Sequence, residues 1–473
     1  MNSELSRTEL SCLITHKKGF SFKSKDYISS GVPVVRVSNF TWDSISTDDL
    51  RYVSHEVAIS NKVVQLNEDD VIVATVGSWP QNPASTVGKV VKVPHELSGA
   101  LLNQNTVKLR VIDENPINQK YLYIALKTKE FSDHLISKAQ GSANQASITL
   151  SDIFSYAIPW GTYPQRKYIV DVIDSINSKT VIVNQINKTL EKMAQALFKS
   201  WFVDFEPVKA KVAVLEAGGT QEDATLAAMT AISGKDADAL KVFESEYPEQ
   251  YAELKATLEL FPSAMQDSEM GEIPEGWRHG PLSSIATFAN GKVDVCSLTP
   301  ESYISTENML ENRAGISTAS SLPSVNSVPE FRCGHVLISN IRPYFKKIWL
   351  ARFKGGRSAD VLAFEARDSI TVEYVYNLLY QETFFNFMML TSKGVKMPRG
   401  DKKAIMGWQC VLPDKKVSNV FSKAVSEYYS FIEINNAQNK TLTQLRDILL
   451  PKLLSGEITL PEAEQAASEV ENV

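Results

Sequence analysis

An apolar heptad repeat occurs twice in this chain and constrains the fold more than any other feature. The first stripe consists of residues seven positions apart: Ile169, Ile176, Val183, Leu190 and Leu197. A repeat of this length is typical of a long helix whose single apolar stripe packs in a coiled coil. The segment 164–205 is therefore predicted to be one helix of about 40 residues, or roughly 60 Å at 1.5 Å per residue.

The second copy of the stripe lies in residues 413–455. The sequence Asn-Lys-Thr-Leu at 187–190 recurs at 439–442 in the same heptad frame. This repetition favours duplicated helices that pack on each other; the alternative is two unrelated core helices. The predicted seam of the coiled coil consists of Ile169, Ile176, Val183, Asn187, Leu190, Leu197, Trp201, Phe421, Val425, Tyr428, Ile432, Asn439, Leu442, Leu449 and Leu453. Asn187 and Asn439 occupy equivalent positions, where a buried amide can fix helix register.

Length and composition limit the number of domains and the classes of protein to which the chain can belong. A chain of 473 residues with 43% apolar residues is expected to form more than one globular domain. No run of eighteen apolar residues is present, and the first residues do not resemble a secretory signal. The cysteines are scattered, at 12, 296, 333 and 410. This pattern indicates reduced thiols and a cytoplasmic location rather than a disulfide framework or a zinc site.

The net charge of −6 is unevenly distributed along the sequence. Residues 206–276 contain 5 basic and 15 acidic side chains, and residues 456–473 contain five acidic and no basic ones. Because the whole chain carries −6, the remaining residues carry a net +9. Electrostatic attraction to phosphate acts over a short range. The positive charge outside 206–276 and 456–473 is therefore compatible with DNA binding, although those two segments are acidic.

The sequences before each long helix follow one plan. The strand predicted at 32–39 corresponds to 302–308, and the strand at 70–77 to 335–340. A helix is predicted at 119–137, and its residues 120–126 correspond to 373–379. The loops between these elements differ, which is typical of recognition modules built on one scaffold. The predicted fold class is α+β. The predicted domains are recognition domain 1 at 1–163, the central helix at 164–205, an acidic solvated connector at 206–276 with a helical stretch at 236–260, recognition domain 2 at 277–412, the distal helix at 413–455 and an acidic tail at 456–473.

Motifs for catalysis are missing. Residues 115–118, Asn-Pro-Ile-Asn, lack the second proline and the aromatic residue of an adenine-methyltransferase loop. No glycine loop ending in Gly-Lys-Ser/Thr is present. Asp360 with 365–367 resembles a nuclease motif only weakly, because Arg367 stands where a lysine is expected. The six histidines form no pair at helical spacing. We therefore predict no catalytic and no metal-binding residues.

The remaining polar and basic loops combine amides, cations and aromatic rings. Side-chain amides can bond adenine edges, arginine can bond guanine, and lysine can anchor phosphate. The predicted DNA-binding residues are Arg36, Ser38, Asn39, Trp79, Gln81, Asn82, Gln140, Ser142, Asn144, Gln145, Asn308, Asn340, Arg342, Tyr344, Lys346, Lys347, Lys393, Lys396, Arg399, Lys402 and Lys403. For any single residue, a solvated turn is the slightly favoured explanation. The equivalent positions of these loops in the two repeats favour DNA binding.

Three segments resemble the specificity subunit of type I restriction–modification systems. Residues 190–205, LEKMAQALFKSWFVDF, are similar to the central conserved segment of that family. Residues 271–277, GEIPEGW, are similar to the start of its second recognition domain. Residues 449–458, LLPKLLSGEI, are similar to its distal conserved end. The resemblance extends over essentially the whole chain.

The resemblance implies two target recognition domains, each reading one half of an asymmetric, bipartite DNA site. The long helices would form an antiparallel coiled coil that separates the domains and gives the chain an internal pseudo-two-fold repeat. Two modification subunits would bind S-adenosylmethionine and methylate adenine, and restriction subunits would use ATP and Mg²⁺. This chain would bind no cofactor itself. The alternative from the residues is a coiled-coil adaptor whose repeated domains bind proteins.

Overall fold

The computed structural model describes residues 5–41, 44–47, 49–79, 86–142 and 145–458. The chain divides into two compact units. The first unit ends at Ile182 and resumes at Gln438, and the second comprises Val183–Ala437. Each unit contains one domain of mixed strands and helices together with part of each long helix.

The first domain comprises thirteen strands and four helices in the described part of the chain, followed by the first long helix. The strands are β1 Arg7–Glu9, β2 Ile14–Lys18, β3 Tyr27–Ile28, β4 Val32–Val35, β5 Arg51–Val53, β6 Val71–Ala74, β7 Val76–Gly77, β8 Val90–Lys92, β9 Leu101–Leu102, β10 Thr106–Val111, β11 Gln140–Ser142, β12 Gln145–Ser147 and β13 Ala157–Pro159. The helices are α1 His55–Ser60, α2 Pro116–Leu126, α3 Lys129–Lys138, α4 Leu150–Phe154 and the long helix α5 Tyr163–Phe202.

Strand β6 lies at the centre of this domain. It belongs to an antiparallel sheet with the order β2-β10-β6-β8, and all four of its residues are buried. Side chains alternate between the two faces of a strand. Accordingly, Val71 and Val73 join the core beneath α2, whereas Ile72 and Ala74 join the core formed with the sheet β3-β5-β4-β9. This two-sided burial explains why 71–74 contains no polar residue.

One helix predicted from Gln119 to Ser137 is in fact two, α2 and α3. The break occurs at Thr128, which has an extended backbone and whose hydroxyl accepts a hydrogen bond from the Phe131 amide at 3.4 Å. Threonine at this position satisfies an otherwise unpaired amide at the start of a helix. The apolar spacing does not change at the break, which is why periodicity alone did not reveal it.

Residues 206–259 form four consecutive helices: α6 Glu206–Glu216, α7 Gln221–Ser233, α8 Ala237–Glu246 and α9 Pro248–Glu259. The predicted helical stretch 236–260 corresponds to α8 and α9. Val208, Met229 and Leu258 are buried in the main core of the second unit. The Lys211 ammonium is also buried and donates to the carbonyl oxygens of Leu258 and Phe261 at 2.6 and 2.7 Å. The segment is therefore a folded helical bundle rather than the solvated connector that its acidity suggested.

The second domain contains the remaining strands and three short helices. The strands are β14 Met265–Gln266, β15 Ile273–Pro274, β16 Arg278–Pro281, β17 Ala286–Phe288, β18 Lys292–Asp294, β19 Tyr303–Ile304, β20 Ser327–Phe331, β21 Val336–Ser339, β22 Ile348–Leu350, β23 Gly355–Arg357, β24 Val361–Ala366 and β25 Gln409–Leu412. The helices are α10 Val372–Leu379, α11 Glu382–Leu390 and α12 Lys402–Met406, and the second long helix is α13 Lys415–Ser455.

The main sheets of the two domains have the same strand order. The order β17-β24-β21-β22 in the second domain repeats β2-β10-β6-β8 in the first, and the pair β16–β25 repeats β1–β13. The helix pair α10–α11 follows the sheet as α2–α3 does in the first domain. The predicted internal repeat and the predicted mixed α/β class are confirmed.

The long helices α5 and α13 pack antiparallel. In the first unit, Ile169 and Ile173 near the start of α5 share a core with Leu449 and Leu453 near the end of α13. In the second unit, the end of α5 lies beside the start of α13: the ring of Trp201 is 5.9 Å from the ring of Phe421. The predicted antiparallel pairing of two long helices is confirmed.

Candidate nucleic-acid interface

Two of the loops predicted to bind DNA meet in the first domain. Strands β11, β12 and β7 form a three-stranded sheet, which places Trp79, two residues after β7, beside β11 and β12. The Trp79 indole Nε1 donates to the Ser142 carbonyl oxygen at 2.8 Å and links the two loops. Gln140, Ser142 and Gln145 are exposed on the hairpin. Gln81, Asn82 and Asn144 lie outside the described residues.

The turn after β4 positions Arg36 and Ser38. Asn39 is buried, and its Oδ1 accepts the Arg36 amide at 3.0 Å, so this side chain holds the turn. The Arg36 guanidinium donates to the Asp49 carbonyl oxygen at 2.8 Å. Ser38 is exposed. Within this turn, Ser38 presents a free surface, whereas the Asn39 amide serves the fold.

Asn308 has the same role in the second domain. Its Oδ1 accepts the Ser305 amide at 2.6 Å, and its Nδ2 donates to the carbonyl oxygens of Tyr303 and Ser317 at 2.9 and 2.8 Å. Asn340 is also buried, and its Nδ2 donates to the Gly400 carbonyl oxygen at 3.1 Å. These amides hold together the turns that carry the basic residues.

The two basic loops predicted in the second domain are joined by backbone hydrogen bonds. Lys393 and Arg399 exchange both amide–carbonyl bonds at 2.9 Å and close a hairpin. The Arg342 amide donates to the Pro398 carbonyl oxygen at 2.8 Å and attaches the 341–347 turn to this hairpin. Residues far apart in sequence therefore form one basic surface. We call residues 341–347 and 393–403 the basic surface of the second domain.

Three of the eight cations on the basic surface, Lys346, Lys393 and Arg399, form ion pairs with acidic side chains. Lys346 Nζ lies 2.9 Å from a Glu382 carboxylate oxygen, and Arg399 lies 3.2 Å from Asp360. Exposed ion pairs of this kind contribute only about 0–1 kcal/mol each, so phosphate can replace the carboxylate at small cost. Lys396, Lys402 and Lys403 are exposed. The surface can thus attract a polyanion.

Asp401 organises one edge of the basic surface. Its carboxylate accepts the amides of Lys403 and Ala404 at 2.9 and 3.1 Å and caps helix α12. Lys393 Nζ lies 2.5 Å from the same carboxylate. The hydrogen bond from Lys393 and the two amides lower the pKa of Asp401 to about 2. Asp401 is therefore ionised at neutral pH and fixes Lys393 beside the start of α12.

Two residues of the turn adopt a backbone conformation that is rare for side chains other than glycine. Arg342 and Lys346 both have φ of +50°. Burial lowers the pKa of the neighbouring Lys347 ammonium, which donates to the Thr306 carbonyl oxygen at 2.9 Å. Tyr344, at the apex of the turn, is 47% exposed. Left-handed residues cost about 1–3 kcal/mol each and concentrate where a loop is shaped for binding.

Arg313 lies beside this surface, with its side chain only 13% exposed, and no sequence signal identified it. Its guanidinium lies 3.1 Å from the Glu382 carboxylate that also binds Lys346, and it stacks over the Tyr380 ring at 4.9 Å. Its φ of +62° marks a second tight turn. The residue follows a stretch without strand or helix periodicity, so no local pattern connected it with Lys346.

The predicted seam residues lie along the helix pair. Ile169, Ile176, Val183, Trp201, Phe421, Val425, Leu442, Leu449 and Leu453 are buried. Asn187, Leu190, Leu197, Tyr428, Ile432 and Asn439 are half-buried. Asn187 Nδ2 donates to Asn436 Oδ1 at 3.0 Å, and its Oδ1 accepts Asn435 Nδ2 at 2.7 Å. A small amide cluster therefore occupies the middle of the helix pair, with Asn435 and Asn436 as members that the heptad frame did not identify.

The described residues carry no group of three or more His, Cys, Asp or Glu side chains able to hold a metal ion. In the same part of the chain, no helix has the length and apolarity needed to cross a bilayer. Asp360, considered above for a nuclease motif, pairs with Arg399. The exposed loops and basic surface thus remain the candidate interface, and their contact with DNA stays a prediction.

Comparisons with known proteins agree with the sequence resemblance. Residues 7–192 match the family model described as the type I restriction modification DNA specificity domain. The specificity subunit of the type I restriction enzyme HindI from Haemophilus influenzae is 27% identical over 398 residues, which cover 78% of this chain and 84% of the relative. The MjaIX specificity subunit from Methanocaldococcus jannaschii is 30% identical over 99 residues, or 21% of this chain and 23% of that protein.

Solved structures with similar chains were also found. The type I restriction–modification S subunit from M. genitalium is 14% identical, with a TM-score of 0.46, and the match covers 95% of this chain and 96% of that one. The HsdS subunit from Thermoanaerobacter tengcongensis is 15% identical, with a TM-score of 0.32 and coverage of 96% and 97%. Residues 7–192 thus match the type I restriction modification DNA specificity domain, and most of the chain is similar to the specificity subunit of a type I restriction enzyme.

Proposed function

We propose that this chain is the DNA-recognition subunit of a type I restriction–modification complex and reads an asymmetric site in two halves. Residues 1–163 would read one half and residues 277–412 the other. The chain itself is non-catalytic, like the specificity subunits of its family. It selects the DNA on which partner subunits methylate adenine or start restriction.

One observation carries this proposal: a single scaffold occurs twice and presents different loops. The main sheets share one strand order. The first domain presents an amide-rich hairpin beside Trp79, whereas the second presents a basic hairpin beside Arg342. Hydrogen-bonding amides and cations favour different base edges. Two dissimilar readers on one chain suit a target whose halves differ.

The proposed assembly contains two modification subunits, which bind S-adenosylmethionine, and restriction subunits, which use ATP and Mg²⁺. It works in the cytoplasm on double-stranded DNA. The long helices α5 and α13 act as the spacer that sets the distance between the half-sites. Support for the spacer comes from the antiparallel packing seen at both ends of the helices.

A domain exchange tests the division of labour. Residues 1–163 are replaced by the corresponding segment of another specificity subunit, and methylated adenines are mapped across the host genome. We expect one half of the methylated sequence to change while the other half and the spacer length are retained. The reciprocal exchange of residues 277–412 should change only the other half. A change in both halves after either exchange would contradict the proposal.

A second experiment tests the spacer. Seven residues are inserted into α5 and seven into α13 at opposing positions, which preserves the heptad frame of both helices. We expect the methylated sites to keep both half-sequences and to accept a longer spacer. An unchanged spacer length in an assembled, active complex would exclude the long helices as the ruler.

A further inference from the structure

The tip of the hairpin in the basic surface carries two apolar side chains that are exposed to solvent. Val395 is completely exposed, at 104% of its reference area, and Met397 is 48% exposed. Lys393, Lys396 and Arg399 alternate with them along the same short segment. Cations explain an attraction to phosphate, but they do not explain two exposed apolar residues among them.

The hairpin is held firmly at its base. Lys393 and Arg399 exchange two backbone hydrogen bonds at 2.9 Å, and the Pro398 carbonyl oxygen accepts the Arg342 amide at 2.8 Å. Gly394 turns the chain with φ of +97°, and a Cβ at that position would lie 3.2 Å from the Met397 carbonyl oxygen. The apolar tip is therefore presented by an ordered loop, so less conformational entropy is lost when it binds.

Charge and chemistry limit what this tip can contact. The three cations of this segment, Lys393, Lys396 and Arg399, favour a polyanion as the occupant, and the proposed function supplies duplex DNA. Val395 and Met397 cannot accept or donate strong hydrogen bonds, so they cannot recognise phosphates or polar base edges. The major groove offers one apolar feature on its base edges, the 5-methyl group of thymine.

Resting on the proposed function, we propose that Val395 and Met397 are specificity residues that contact a thymine 5-methyl group in the half-site read by residues 277–412. Lys393, Lys396 and Arg399 hold the flanking phosphates. The second half-site therefore contains at least one thymine whose methyl group is recognised in addition to its hydrogen-bonding atoms.

Replacing thymine by deoxyuridine tests the contact, because it removes the methyl group and keeps every hydrogen-bonding atom. The assembled complex is measured by competition binding at one fixed salt concentration, on sites carrying a single replacement at each thymine of the half-site. We expect one replacement to weaken binding about five- to tenfold. The variant V395S/M397S should bind the unmodified site about as weakly and should lose its sensitivity to that replacement.

Leu390→Ser provides a matched control, since Leu390 is 86% exposed at the end of α11, outside the hairpin. This variant should keep both the affinity and the sensitivity to deoxyuridine. Three outcomes would overturn the inference: equal binding to every replaced site, retained deoxyuridine sensitivity in V395S/M397S, or failure of V395S/M397S to assemble with its partners. Failure of the unaltered complex to select any DNA sequence would instead overturn the proposed function.

Discussion

The two recognition domains stabilise the same strand with different chemistry. In the first domain, Asp70 precedes β6, and its Oδ2 accepts the Asn67 amide at 2.8 Å. In the second domain, His335 precedes β21, and its Nδ1 accepts the Arg332 amide at 3.2 Å. Each side chain accepts the amide of the residue three positions before it, and so closes an equivalent turn in its own domain. The position requires an acceptor, and a carboxylate and an imidazole each supply one.

The charges around these two acceptors differ. Asp70 is fully buried and lies 3.4 Å from Lys108 Nζ and 2.9 Å from Arg110 Nε. Burial raises the pKa of Asp70, while the two cations and the Asn67 amide act in the opposite direction. At His335 burial lowers the pKa, which keeps the imidazole neutral at pH 7. The first domain thus depends on a buried ionic cluster at a point where the second domain does not.

The same contrast appears where each domain meets its long helix. In the first unit, Arg166 on α5 donates to Asn118 Oδ1 at 2.8 Å, and Lys120 lies 2.8 Å from Asp174. In the second unit, Gln195 Nε2 donates to Asn377 Oδ1 at 2.6 Å. Tyrosine rings and amides surround that contact. The duplicated fold has kept its geometry, whereas its polar contacts have become ionic in one copy and largely neutral in the other.

Of the substitutions considered, removing the charge of Asp70 is expected to lower the free energy of unfolding most. Asp70→Asn keeps an oxygen that can accept the Asn67 amide but leaves Lys108 and Arg110 without their buried counter-ion. Breaking a buried ion pair on one side costs about 3–5 kcal/mol, and relief of the burial that raises the pKa of Asp70 offsets part of this loss. We expect hydrogen exchange of the β6 amides to accelerate accordingly, as measured by mass spectrometry on the assembled complex.

His335→Asn is the matched variant in the second domain. It also retains an acceptor for the turn and removes no charge at pH 7, so the exchange of β21 amides should change by no more than about 1 kcal/mol. Equal losses in the two domains would show that packing, rather than charge, distinguishes the two positions.

At the junction in the second unit, we expect the free energy of unfolding to change with pH by about 3 kcal/mol. Glu191 on α5 accepts the Tyr376 hydroxyl at 3.1 Å, and burial raises its pKa from 4.5 to about 7. The unfolded chain releases this proton near pH 4.5, whereas the folded chain retains it until about pH 7. The stabilising contribution is therefore complete below pH 4.5 and is lost as the pH rises to about 7.

Glu191→Gln removes the titration but keeps an oxygen for the Tyr376 hydroxyl. We expect the variant to be more stable than the parent at pH 8, with the difference vanishing toward pH 5, when hydrogen exchange in α10 is followed. Lys192→Gln, at an exposed neighbouring position, should reproduce the pH dependence of the parent. The same dependence in Glu191→Gln would mean that another group titrates.

The sequence predicted the architecture because the relevant signals are local and repeated. The seven-residue spacing identified both long helices, and the resemblance of 120–126 to 373–379 identified α2 and α10 as copies. What could not be predicted depends on contacts between distant residues. Apolar positions in 206–259 are spread over four short helices, so their common buried side became visible only in the folded chain.

Two tyrosines test how closely the copies correspond. The Tyr121 hydroxyl donates to the Pro159 carbonyl oxygen at 2.6 Å, and the Tyr374 hydroxyl donates to the Val411 carbonyl oxygen at 2.7 Å. Tyr121→Phe and Tyr374→Phe each delete one buried hydrogen bond, at an expected cost of about 1–1.5 kcal/mol. The losses should be equal, as read from exchange in α2 and α10. A difference larger than about 1 kcal/mol would show that the copies have diverged in packing as well as in charge.

The candidate interface was less predictable than the fold. Trp79 and Ser142 could be named from their loops, but the hydrogen bond between them depends on the pairing of β12 with β7. Asn39 and Asn308 look like readers of bases in the sequence, yet both are buried and hold turns. An amide looks the same in a sequence whether it faces solvent or closes a loop, so burial decides its role.

The smallest effect on stability is expected at Asn187, whose amide joins Asn435 and Asn436 between the long helices. Asn187→Leu loses two hydrogen bonds worth about 1 kcal/mol each but gains apolar contact in a half-buried seam, so stability should change by only about 0.5 kcal/mol. The register between α5 and α13 should change more than the stability. A polar contact permits only one alignment of the two helices, whereas the apolar contact that replaces it permits several. We therefore expect the variant complex to methylate sites whose spacer is one base pair shorter or longer at an increased relative rate.

Lys188→Leu, an apolar replacement at the exposed neighbouring position, should leave spacer selectivity unchanged. If Asn187→Leu retains the selectivity of the parent, the hydrophobic seam alone sets the register, and the amide cluster has no part in measuring the DNA.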